Sequence, residues 1–246
     1  GFGNTIKEAV DYWKYEEEKL IILNFGWEAI KCKAASFKGK GINPYRYTWV
    51  ETLVRQVQDL YPNYKIVLFL HWNYEFENLP QPADRMFAHH MIDIGVDAII
   101  GHHPHIINPL EIYRGKPIFY SLGNFYFPQV NYGNVKVSFR DSALLGISVD
   151  YKGDLESCKI YLHKQKADGS KLELMKVYDV EAWYNSSYNI PINLMSDEEY
   201  LEFYKSNHFH KRKLLPIYYD YRRTIQNSLF DKYVLFRQKF IDIIKR

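Results

Sequence analysis

The residue types that can do chemistry are concentrated between Lys65 and Phe125. This stretch reads KIVLFLHWNYEFENLP, then a polar segment with helical spacing, then VDAIIGHHPHIINPLEIYRGKPIFYSLGNF. It holds His71, His89, His90, His102, His103 and His105, six of the nine histidines. His103-Pro104-His105, at the end of a buried strand, can aim two imidazoles at one small volume, and His71, at a neighbouring strand end, can add a third. Neutral imidazole suits first-row metals such as zinc, iron and manganese, with carboxylates from elsewhere balancing the charge. The alternative is that each histidine only caps a strand end through a hydrogen bond. Three histidines at two adjacent strand ends favour the metal site. His208 and His210, in NHFHKRK, read instead as a basic surface segment, because no strand or carboxylate pair positions them.

Such a cluster needs a scaffold that brings separated strand ends together. The apolar, β-branched runs Ile66 to Leu70 and Val96 to Ile100 have the pattern of buried parallel strands, and each leads into histidine. Ligands bind at that carboxyl edge in open α/β sheets. With a helix over 83–94 between them they form a βαβ unit of right-handed crossover, which places His71 and His103 at one edge.

Upstream, a polar helical stretch over Ala9 to Lys19 precedes a short buried strand over 20–25. Thr48 with Glu51 has a capping-box pattern, and Val50, Leu53, Val54, Val57 and Leu60 come after it at helical spacing, predicting an amphipathic helix packed on the sheet. Downstream, a strand over 118–122 turns out through Gly123, which allows close backbone approach, and Asn124, which can bond a substrate, hold a metal-binding loop or simply sit in a turn.

From Leu144 the apolar period changes to two. LLGISVDY and CKIYLHK flank Lys152-Gly153-Asp154 as a hairpin, with a further strand over 172–178. His163 lies inside the second strand of this hairpin, away from the cluster, and reads as structural or solvated. Ser196 with Glu199 is a second capping-box pattern opening a charged helical tail, expected to cover the sheet or meet a partner.

Composition narrows the classes. The 246 residues carry 47% hydrophobic content, ordinary for a folded globular protein. A net charge of +3, with cations interleaved among acids, does not suggest nucleic acid. The 22 tyrosines and 5 tryptophans could stack on carbohydrate, but packing at half-buried positions is the favoured reading. Cys32 and Cys158 are far apart and form neither a disulfide framework nor a zinc knuckle. No apolar run is long enough to span a bilayer.

His71-Trp72, Gly101-His102-His103-Pro104-His105, Pro109-Leu110-Glu111 and Phe119-Tyr120-Ser121-Leu122-Gly123-Asn124-Phe125 together resemble the CapA family of capsule-biosynthesis proteins, within the calcineurin-like metallophosphoesterase superfamily. The resemblance is strongest from Ile66 to Phe127 and reaches fainter back to Gly1, where GFGNTIKEAV is similar to a Gly-rich segment that members carry midway along the domain. It implies an α/β fold, a metallophosphoesterase-like mixed β-sheet sandwich flanked by helices. The superfamily adds an Asp-X-His, a Gly-Asp and an Asn-His element ahead of the later histidines, and none of the three stands ahead of them here: no Asp-X-His occurs in residues 1 to 246, and Gly153-Asp154 and Asn207-His208 both come after the cluster. With glycine at its start, the chain therefore reads as the C-terminal part of a longer protein, a divergent complete protein being the weaker option.

The expected organisation is a CapA-like domain over 1–180 and a helical accessory region over 181–246. The resemblance implies two divalent metal ions (Mn, Fe or Zn), with His71 and His103 on one and His105 on the other, and hydrolysis of a phosphorylated or polymeric substrate. The implied setting is the synthesis of capsule, poly-γ-glutamate or a related surface polymer, in the bacterial cell envelope or cytoplasm. His102 and Asn124 are the candidate catalytic residues, His102 acting behind the ligands or on the substrate. Glu75 and Glu111 are the candidate substrate-binding residues. The competing expectation is a noncatalytic assembly or anchoring component of a polymer-synthesis complex.

Overall fold

A computed structural model describes residues 2–126, 131–132, 135–136, 144–166, 168–208 and 214–244. The chain opens with a short strand β1 (Phe2–Gly3), one helical turn α1 (Ile6–Ala9) and an edge strand β2 (Trp13–Tyr15) antiparallel to β3 (Leu20–Gly26). The helix expected over Ala9 to Lys19 is therefore replaced by a strand beyond residue 12. Tyr12, Trp13 and Tyr15 favour a pleated edge. The Tyr12 hydroxyl donates to that of Tyr61 at 2.8 Å, and the Lys14 ammonium lies 4.9 Å from the Tyr61 ring centre.

After β4 (Gly41–Ile42), which pairs with β1, comes α2 (Tyr47–Leu60), whose Val50, Leu53, Val54 and Val57 are buried as expected. Its N-cap is Arg46, so the Thr48–Glu51 capping box does not form. Tertiary packing draws Tyr47 into the helix, where its ring lies 4.8 Å from that of Phe87, and Glu51 bonds Arg55 and His90 instead.

The βαβ unit comes next, as β5 (Lys65–His71), α3 (Pro82–Asp93) and β6 (Ala98–His102). The second strand runs two residues later than expected because Gly95, at φ 105°, still turns the chain and the Asp97 carboxylate accepts the Ile66 N–H at 2.9 Å. A hairpin of β7 (Leu110–Tyr113) and β8 (Lys116–Phe119) then turns at Arg114-Gly115, both at positive φ, the signature of a tight two-residue turn. The strand expected over 118–122 thus lies earlier, and its partner at 110–113 was not anticipated.

The six strands form one mixed sheet in the order β2-β3-β5-β6-β8-β7, parallel in its centre and antiparallel at both edges. A short pair, β9 (Asn131–Tyr132) and β10 (Val135–Lys136), precedes a separate three-stranded antiparallel sheet of β11 (Leu145–Asp150), β12 (Lys159–Gln165) and β13 (Leu172–Tyr178), which matches the expected hairpin and third strand.

Alternation along β5 sends its apolar side chains to two cores. Ile66, Leu68 and Leu70 face α2 and α3, whereas Val67 and Phe69 face the second sheet through Ile147, Ile160 and Leu162. The first core also takes residues from the tail. After α4 (Val180–Tyr184), helix α5 (Asp197–Asn207) opens with the complete Ser196–Glu199 capping box and contributes buried Tyr200 and Tyr204, and α6 (Thr224–Ile244) contributes Val234. The fold is the mixed α/β sandwich expected, with helices on one face of the main sheet and a second sheet on the other.

Candidate functional site

Three parallel strands end level with one another: Gly26 of β3 is in register with His71 of β5, and His71 with His102 of β6. The edge is fastened by Trp72, whose buried indole N–H donates to the Tyr120 carbonyl at 2.9 Å while the two rings stack 5.8 Å apart. Its own amide donates to the His102 carbonyl at 3.2 Å. Gly101 is what allows this closeness. A Cβ there would stand 2.1 Å from the Tyr120 carbonyl oxygen and 2.4 Å from the Trp72 indole nitrogen.

Beyond the strands, the chain bends sharply to gather the imidazoles. His103 and His105 both take left-handed backbone, at φ 100° and 61°, unusual for residues with a Cβ. Their rings lie 5.8 Å apart, and the His103 ring lies 4.8 Å from that of His71. His105 Nδ1 sits 2.8 Å from Asn124 Oδ1. Because an amide oxygen only accepts, the Nδ1 that faces it carries a proton, which leaves Nε2 as the nitrogen able to offer a lone pair in the neutral ring.

Asn124 is itself held between the two sheets. Its amide donates to the Leu145 carbonyl at 3.2 Å, and Gly146 leaves the room for it, since a Cβ there would meet the Asn124 carbonyl oxygen at 2.1 Å. The loop after β5 closes the other side. Phe76, also at positive φ, donates its N–H to the Pro104 carbonyl at 2.8 Å, and the Asn108 amide donates to the Glu77 carbonyl at 2.9 Å.

Burial disfavours the charged form of two of these imidazoles. Burial, and then proximity to His105, lowers the pKa of His71. Burial, with His71 beside it, pushes His102 down to about 4. His102 stacks on Phe69 at 5.4 Å, and with His71 it lines a cavity of about 350 Å³ that also touches Asn24, Gly26, Cys32 and Ile42. His71 thus faces both the cavity and the His103–His105 loop.

Converging imidazoles with available lone pairs are donors of the right kind for a divalent transition metal. Among the described residues, however, no group of three or more His, Cys, Asp or Glu is arranged to hold a metal ion. The imidazoles fit part of a ligand set, without the carboxylates that would balance the charge.

The two candidate carboxylates part ways. Glu75 is exposed in the loop after β5, and it is its neighbour Phe76 that comes near the cluster, its ring 6.2 Å from that of His105. Glu111 is buried on the helical side of the sheet. It binds the Arg85 guanidinium at 2.8 Å, accepts the Tyr120 hydroxyl at 2.7 Å and lies 3.0 Å from His89, so the structure does not bring it to the histidine edge.

The remaining histidines are dispersed. His89 stacks on Tyr113, His90 reaches Glu51, and His208 stacks on Tyr204 beyond α5. His210 lies outside the described residues. His163 bonds Ser148 at 2.8 Å, but its ring also meets that of Phe125 at 5.0 Å, nearer the site than its place in the hairpin implied.

Sequence reasoning missed the supports contributed by the tail. Asp231 of α6 accepts the Trp27 indole N–H at 3.0 Å and the Tyr218 hydroxyl at 2.8 Å, while Trp27 donates its amide to the His71 carbonyl at 2.9 Å. The signal available was a tryptophan directly after a strand end, with nothing local to bond it.

A family described as "Bacterial capsule synthesis protein PGA_cap" matches residues 4–129, just over half of the chain. The chain is 36% identical over 149 residues to the PGA biosynthesis protein CapA of Bacillus subtilis (strain 168), covering 59% of this chain and 37% of that protein. It is 45% identical over 64 residues to the capsule biosynthesis protein CapA of Bacillus anthracis, covering 26% and 16%. It is 43% identical over 58 residues, covering 24% and 15%, to a Mycobacterium tuberculosis (strain ATCC 25618 / H37Rv) protein named as a "Probable polyglutamine synthesis accessory protein". The chain spans well under half the length of these curated relatives.

Proposed function

This chain belongs to the bacterial capsule synthesis protein PGA_cap family, and on that premise we propose that it serves the synthesis of a capsule, poly-γ-glutamate or related surface polymer through a metal-dependent phosphoesterase-type site at its histidine edge. The observation that supports this reading is the convergence of His71, His103 and His105 from two strand ends, with His105 oriented by Asn124. In this reading His71 and His103 hold one metal and His105 the other, and Glu75 and the cavity beside His102 accept part of a phosphorylated or polymeric substrate. A divalent metal, when bound, supplies Lewis-acid polarisation of a phosphoryl oxygen and acidifies water at the site. The chain's own residues half-bury that edge, hold His105 by its Nδ1 against Asn124, and by burial favour the neutral form of His71. His102, uncharged at neutral pH, serves as a hydrogen-bonding neighbour rather than a cation.

A second reading, a noncatalytic assembly component, is favoured by the incomplete ligand set among the described residues and by the accessory role in the name of one relative. Metal analysis after dialysis, with hydrolysis of an aryl phosphate in added manganese, separates the two. His71→Ala and His103→Ala are expected to lose metal and turnover together, and His163→Ala to keep both. Metal retention unchanged in a His103→Ala, His105→Ala variant overturns the site. A folded protein that binds metal yet turns over no phosphoester moves the function to assembly.

A further inference from the structure

Helix α6 carries an apolar stripe on the side turned away from the protein. Ile225, Leu229, Tyr233, Phe236, Phe240, Ile243 and Ile244 are all exposed, Ile225 at 79%, Phe236 at 71% and Ile243 at 71%. Their spacing of three and four residues places them within an arc of about 100° along roughly 28 Å of helix. The opposite side is accounted for. Asn227 and Val234 are buried, Phe230 packs on the first core, and Asp231 bonds Trp27 and Tyr218. One side of α6 therefore holds the fold, and the other presents apolar side chains outward, with Tyr233 also donating its hydroxyl to the Leu214 carbonyl at 3.2 Å.

Charge decides what that outer side fits. The two acids of the helix turn to the body, Asp231 to Trp27 and Asp242 to Lys31 at 3.2 Å. The helical positions flanking the stripe carry Lys232 and Lys239 on one side and Arg237 on the other, with no carboxylate among them. An apolar stripe edged only by cations matches the interface of an anionic lipid layer, where aliphatic and aromatic groups enter the acyl boundary and cations meet the phosphates. A second copy of the chain is a poorer match, because pairing two such stripes sets cation against cation with no acid between them. No helix of the described residues is long and apolar enough to cross a membrane, so the geometry is that of a helix lying in the surface.

We propose that the outer face of α6 docks this protein on a membrane surface rich in anionic phospholipid. The site is separate from the histidine edge, and the inference does not depend on the proposed chemistry. Flotation with vesicles tests it, because vesicles rise in a density gradient and aggregated protein does not.

The 246-residue chain, cleared by centrifugation, is mixed with phosphatidylcholine vesicles with or without about 30 mol% phosphatidylglycerol. It is expected to float with the anionic vesicles and to do so several-fold less at high salt. Phe236→Ser with Phe240→Ser should weaken flotation by about tenfold or more while leaving the melting transition in place. Lys232→Gln with Lys239→Gln should weaken it several-fold on anionic vesicles only. Absence of flotation by the unmodified chain overturns the proposal, as does flotation that the double serine variant keeps. A dimer in light scattering that the double serine variant dissolves, with no flotation, assigns the face to a second copy instead.

Discussion

Asp84, at the start of α3, is buried to 4% exposure, and its Oδ1 accepts hydroxyl hydrogens from Tyr45 at 2.9 Å and Tyr47 at 3.0 Å. Burial pushes its pKa from 3.8 up to about 7, against the two tyrosine hydrogen bonds, and the nearby Asp231 carboxylate adds to the rise. The sign of the consequence depends on which state holds the proton. An unfolded chain releases it near pH 4, the folded protein only near 7, so between those values the folded state binds more protons and its stability falls as pH rises. Above about pH 7 both states are ionised and the loss is complete. A shift of about three units corresponds to a stability difference on the order of 4 kcal/mol.

Asp84→Asn keeps an oxygen for both tyrosines and removes the titration. Urea melts of the two proteins at pH 5, 6, 7 and 8 isolate this term, because titrations common to both, including those of His71 and His102, cancel in the difference. The Asn variant should gain on the parent steadily from pH 5 to 7, by about 2 to 3 kcal/mol over that span, and then hold level. A difference flat to within about 0.5 kcal/mol across the range refutes the reasoning, since Asp84 would then already be ionised in the folded state at pH 5.

Arg85→Met should destabilise the fold by about 3 to 5 kcal/mol by stranding the buried Glu111 carboxylate, and adding Glu111→Gln should recover part of that loss; urea melts of the single and double variants check both. Asn124→Ala should leave the melt nearly unchanged but weaken divalent metal retention by about 10- to 100-fold, because His105 loses the acceptor that fixes its tautomer, and unaltered affinity by titration calorimetry would remove Asn124 from the site.

The parts legible in the sequence are those in which a short-range pattern and a fold rule agree. Apolar runs ending in histidine predicted β5 and β6 and their shared edge, and the Ser196–Glu199 box predicted the start of α5, because in each case the interacting groups are neighbours in the chain or joined by one right-handed crossover. The parts that were not legible depend on partners far along it. Arg85 reaches Asp197 and the carbonyls of Ile192 and Met195, and Trp27 reaches Asp231. Nothing in the local pattern around Glu111 separates a carboxylate that waits for substrate from one that neutralises a buried guanidinium. The Thr48–Glu51 pattern failed for the same reason, since the packing of Tyr47 on Phe87 set the helix start.

The backbone itself marks where the structure gives up stability. Of the seven non-glycine residues at positive φ among the described residues, Lys19, Lys31 and Arg114 lie in turns elsewhere, and four, Asn73, Phe76, His103 and His105, lie in the two loops that come after β5 and β6. Each such residue costs on the order of 1 kcal/mol or more, and persists only where the surroundings over-determine it. Those surroundings are visible: the Trp72 bolt through Gly101, the Phe76–Pro104 and Asn108–Glu77 hydrogen bonds, and the Asn124 turn fixed against β11. A pair of loops that needed only to join each strand to the next element could relax these four residues at little cost. Holding them strained, with three imidazoles gathered at their centre, is an arrangement whose gain lies in the position of the side chains, and this links the local strain to a site rather than to the fold alone.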